Sequence, residues 1–79
     1  MNNYDHYNEA KSIIAMLQDA SLNDYGALLQ NAMDEGATGT EIFMALRWNI
    51  EKILKEDVLD DATRVRAEKL WDELDKALQ

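Results

Sequence analysis

The sequence predicts an all-α fold, a compact bundle of four helices with mostly antiparallel neighbours, built by residues 1–79 as a single domain. Three observations predict it. The chain has no proline and only three glycines, so it lacks the turn punctuation of a β protein. Apolar residues recur at three- and four-residue spacings, at about 100° per residue, in four successive stretches. Short capping signals separate those stretches. With 79 residues and no cysteine, the chain is near the lower size at which a core holds without staples. Its stability must come from helix packing or from self-association.

The first helix is expected over about 4–20, with Tyr7, Ala10, Ile13, Ile14, Leu17 and Ala20 on one side and Asp5, Asn8, Ser12 and Asp19 on the other. His6 falls in the apolar arc, where it is either a switchable or ligating group or a half-buried histidine resting on a neighbouring helix. Packing is the preferred reading, and a lone histidine without cysteine argues against structural zinc. Ser21 and Asp24 form an S-x-x-D pattern suited to the orphan amides that open a second helix, running to about residue 35. Its stripe is Leu22, Tyr25, Leu28, Leu29, Ala32 and Met33, while Asn23, Asp24, Gln30, Asn31 and Asp34 face away. Gly36 is placed to close it in the left-handed conformation. The short connection makes the first two helices an antiparallel hairpin.

Thr38 and Glu41 form a T-x-x-E capping box for a third helix over about 39–55. Glycines at 36 and 39 also bare amides that an anion would accept. The lysine of a P-loop is missing, however, and Asp34, Glu35 and Glu41 stand beside them. Ile42, Phe43, Leu46, Ile50, Ile53 and Leu54 form the core arc, with Met44 and Trp48 one turn apart on nearly the opposite side. In so small a domain Trp48 is expected to be covered by the first or fourth helix. An exposed pair would instead mark a binding or dimer surface, with Arg47 and Lys52 packing their stems against it.

The fourth helix is expected from residue 60 or 61 to the end, with acidic residues at its positive pole. Ala67, Leu70, Trp71, Leu74, Ala77 and Leu78 make its stripe, Asp72 and Lys76 have the favourable acid-before-base spacing, and Val65 points outward. The expected core is Ile13, Ile14, Leu17, Leu28, Leu29, Ile42, Phe43, Leu46, Ile50, Ile53, Leu70, Trp71 and Leu74.

Charge is the main functional signal. Residues 1–46 hold seven carboxylates and one base, Lys11, whereas residues 47–79 hold nine carboxylates and seven bases, for net charges of −6 and −2. Such a field repels nucleic-acid phosphates and anionic lipid and attracts basic protein surfaces. The opening stretch lacks the charged and apolar regions of a signal peptide, and no apolar run approaches the ~20 residues of a membrane span, so a cytoplasmic protein is expected. No cofactor or metal site is expected. The acidic clusters miss calcium-loop spacing, and any nucleophile–base arrangement would have to recruit His6 with Asp5 or Glu9. The preferred expectation is a non-catalytic interaction module that docks a basic partner through Asp19, Asp24, Asp34, Glu35, Met44 and Trp48. A homodimer, in which a second copy covers Met44 and Trp48 or the C-terminal stripe, is a competing reading.

The small, acidic, four-helix character resembles the immunity proteins of DNase bacteriocins, which implies a toxin-immunity or antitoxin-type inhibitor covering a nuclease's basic cleft. Those proteins carry a Tyr-Tyr-Pro recognition element. This chain has no proline and no adjacent tyrosines, so the resemblance is one of type and transfers no residue roles.

Overall fold

The computed structural model describes residues 4–79; Met1, Asn2 and Asn3, part of the opening stretch judged against a signal peptide, lie outside the described residues. Among the described residues the secondary structure is four helices: α1 (His6–Asp19), α2 (Asn23–Glu35), α3 (Gly39–Leu54) and α4 (Asp61–Leu78). Each packs on its chain neighbours and α4 returns to α1, closing a ring around one core. Connections of a few residues force consecutive helices to run back on one another, so the fold is the four-helix all-α bundle expected. None of these helices is long and apolar enough to cross a membrane.

Side chains satisfy the opening amides of three helices. Asp5 accepts from the Asn8 amide at 3.0 Å, Thr38 from Glu41 at 3.1 Å and Asp60 from Thr63 at 3.2 Å. The Thr38 cap is the one the sequence predicts. Ser21 does not cap α2, whose N-cap is Leu22, with no side-chain bond. Ser21 instead takes φ 63°, and its amide and that of Leu22 donate to the carbonyls of Gln18 (3.1 Å) and Leu17 (2.8 Å). This pair of bonds is a Schellman closure of α1, in which Ser21 occupies the left-handed position usually given to glycine. Closing one helix and opening the next within three residues left no room for Ser21 to do both.

Gly36 also departs from expectation. It is extended, with φ −68° and ψ 134°, so freedom at positive φ is not why glycine stands there. A Cβ at this position would overlap the Ile42 side chain and come within 3.2 Å of the Ile42 Cα and the Ala32 carbonyl. Glycine here lets the chain pass close against α3. Gly26 faces α1, but an added Cβ would meet Ile14 Cγ2 at 3.5 Å, an ordinary contact, so the α1–α2 packing does not demand glycine there.

The core holds Ala10, Ile13, Leu17, Leu29, Leu46, Ile50, Ile53, Leu59, Ala67, Leu70 and Leu74, with Ile14, Ile42, Phe43 and Trp71 half-buried around it. Leu28, expected inside, is 38% exposed because it lies at the outer edge of the α2 stripe. Leu59 was not anticipated. It sits in the α3–α4 connection, tethered by its amide to the Glu56 carbonyl, and turns inward while Val58 stays exposed. Arg64 donates to the carbonyls of Leu54 and Glu56, each at 2.7 Å, and so satisfies the Leu54 acceptor at the end of α3 and ties down the segment that follows.

Candidate functional site

α3 carries two large apolar side chains that no other helix covers. Trp48 is 62% and Met44 52% exposed, so the covered position expected for Trp48 is incorrect. The ring explains this: α3 packs on α2 and α4, and its fourth side meets no helix. Met44 and Trp48 line a shallow groove toward α4 together with Arg47, Glu51 and Trp71. Lys52 lies over the Trp48 ring with its ammonium 5.5 Å from the centroid, a cation–π distance. Arg47 is drawn to Asp75 of α4 at 2.5 Å.

On the other flank of α3, toward α2, a second groove of about 410 Å³ is lined by Leu28, Asn31, Ala32, Glu35, Gly36, Glu41, Ala45 and Asn49. Leu28, Ala32 and Ala45 give it an apolar floor, and both of its charged linings are carboxylates. Spacings of four, three and four residues place Asp24, Leu28, Asn31 and Glu35 on one outward stripe of α2, with Asp24 and Glu35 about 16 Å apart along the helix.

The acidic candidates therefore do not form one surface. Glu35 lines the α2–α3 groove and Asp24 continues its α2 wall. Asp34 is exposed and accepts from Gln30 on its own helix at 3.1 Å. Asp19 belongs to a cleft toward α4 with Met16, Ala20, Asp60 and Thr63. Glu41, a second wall of the α2–α3 groove, reads from the sequence as a capping residue and as a carboxylate adverse to an anion, not as a docking group. The T-x-x-E pattern explained it so fully that its outward position on the wheel went unused.

Ion pairing separates the two halves of the chain. Of the seven carboxylates in residues 1–46, only Glu9 meets a base among the described residues, gripped by Nε and Nη2 of Arg66 at 2.7 and 2.8 Å. In α4, Lys69 pairs with Glu73 at 2.9 Å and Lys76 with Asp72 at 3.1 Å. The Lys69 bond holds the Glu73 carboxyl below its ordinary value, and the Asp72 bond raises the Lys76 ammonium. Hydrogen bonds from Thr63 lower Asp60, and the Tyr25 hydroxyl, donating to Glu56 at 2.6 Å, is raised.

His6 rests between helices. Its ring lies 4.5 Å from Phe43 and 5.0 Å from Tyr4, and Nε2 is 3.4 Å from the Glu73 carbonyl. That is the half-buried packing role expected of it. Tyr4 beside it has a buried hydroxyl without a partner; burial, aided by the charges of Glu9 and Glu73, pushes its pKa up to about 12. No protein-family model, curated protein or solved structure matches the chain.

Proposed function

We propose that this protein is a non-catalytic interaction module whose α2–α3 groove receives a cationic amphipathic helix of a partner protein. The observation that carries this reading is the groove itself, an apolar floor of Leu28, Ala32 and Ala45 between Glu35 and Glu41, with no base among its lining residues. Leu and Ala side chains of a guest helix at three- and four-residue spacing fit such a floor, and lysines or arginines flanking them reach the carboxylates. Asp24 extends the acidic wall along α2. Unpaired carboxylates at a rim act chiefly on the rate of encounter, and the apolar floor acts on retention. A basic nuclease surface is one partner of this chemistry.

The test is calorimetric titration with a designed Leu/Lys amphipathic helical peptide. Binding should weaken steadily with added salt, and reversing both Glu35→Lys and Glu41→Lys should cut affinity about tenfold or more, at roughly 0.5–1 kcal/mol for each rim charge. Affinity indifferent to both salt and these reversals would overturn the proposal.

A further inference from the structure

We infer that the exposed ridge of α3 is a self-association surface, on which a second copy of the chain packs its own α3 antiparallel to the first. The ridge offers Met44 and Trp48, both more than half exposed, one helical turn apart. Around them stand Glu41, Arg47, Glu51 and Lys52 of α3 and its C-cap Lys55; with Arg47 answered by Asp75 of α4, two bases balance two carboxylates in a chain of net charge −8. A patch of balanced charge offers a basic partner no net attraction, whereas two otherwise acidic copies meet there with least mutual repulsion.

The ridge is also complementary to itself. A two-fold axis between the copies, perpendicular to α3 and level with the midpoint of Met44 and Trp48, lays Met44 of each copy on the indole of the other, a favourable sulfur–aromatic contact made twice. Glu41 and Lys52 lie outward of that same midpoint in opposite directions and, within one residue, equally far from it. On the helical wheel they fall about 20° apart on the Trp48 flank, and in an antiparallel pair like flanks face each other. The axis that joins Met44 to Trp48 therefore also brings Glu41 of each copy to Lys52 of the other. Lys52 already leans over Trp48 within its own chain, so it stands at the ridge, and Glu41 has no ion-pair partner among the described residues.

Sedimentation equilibrium from micromolar to millimolar concentration tests this, with circular dichroism confirming that each variant folds. The wild-type chain should dimerise, and Trp48→Ala should leave only monomer. Lys52→Glu should raise the dimer dissociation constant about tenfold, since two pairs are lost and two like-charge pairs created, and Glu41→Lys should raise it by less, because Glu51 of the second copy stands level with position 41. The combined Glu41→Lys, Lys52→Glu chain should recover to within about threefold of wild type. A wild-type monomer at millimolar concentration, a dimer indifferent to Trp48→Ala, or a combined variant no better than the single ones would overturn the inference. Glu41 also walls the α2–α3 groove, whereas Trp48 and Lys52 are not among its lining residues, so Trp48→Ala and Lys52→Glu, read without peptide, separate this result from that of the groove.

Discussion

Along α1 and α2 the carboxylates of Asp19, Asp24, Asp34 and Glu35 stand exposed without a base, and Glu9 alone is answered, from across the ring by Arg66. Along α3 and α4 the charges answer one another, Arg47 with Asp75, Lys69 with Glu73 and Lys76 with Asp72, and the exposed apolar side chains Met44 and Trp48 are found there as well. The connections differ in the same sense. Three residues with a left-handed serine join α1 to α2, while a six-residue segment anchored by Leu59 and clamped by Arg64 joins α3 to α4. Exposed surface charge costs a folded chain little, so the unanswered carboxylates of the first pair need no compensation in the core. They remain available to a partner, whereas the second pair spends much of its charge on itself, with Glu41 and Lys52 of α3 among the exceptions.

The largest effect should come from the core that the two pairs share. Leu46→Ala empties a fully buried position on α3 and should cost about 2–5 kcal/mol in chemical denaturation. Both pairs should unfold in one transition, and two separate transitions would show that the halves are independent. Next comes the clamp: Arg64→Ala leaves the Leu54 and Glu56 carbonyls without their charged donor, for a loss of about 1–3 kcal/mol. A loss below the error of measurement would mean that water replaces the guanidinium at no cost. At the opposite connection the change should be a gain. Ser21→Gly relieves the left-handed strain and should stabilise by roughly 0.5–1 kcal/mol, less than the strain itself because glycine also loosens the unfolded chain.

Between the halves, where α1 meets α4, Tyr4 supplies a pH signature. Its folded pKa of about 12 lies above the ordinary 10.0, so the folded state holds the proton more tightly. Its contribution is whole below pH 10 and is lost as pH rises toward 12, and Tyr4→Phe should flatten that alkaline decline in thermal melts. An unchanged decline would place its cause elsewhere.

Much of this architecture is legible in the sequence. Helix boundaries fall within two residues of expectation, and the stripes of α1, α3 and α4 supply the core, because a period near 3.6 over three or more turns is a strong signal. What the sequence conceals depends on neighbours. Ser21 matches an N-cap pattern, yet the geometry of the turn assigns it to the helix before. Gly36 stands where a left-handed cap belongs, yet serves a close approach to Ile42. Leu59 carries no periodicity to betray its burial, since it lies between helices. The acidic candidates were grouped by charge along the chain, and the ring distributes Asp19 and Glu35 to different clefts.

Chemical-shift mapping during titration with the Leu/Lys peptide addresses the docking groove most directly. Amide and methyl signals of Leu28, Ala32 and Ala45 should shift, together with those of Glu35 and Glu41, while Asp19 and Met16 on the far cleft stay still. Shifts concentrated at Met16 and Asp19, or spread evenly over every exposed carboxylate, would contradict a groove built between α2 and α3 to hold a basic helix.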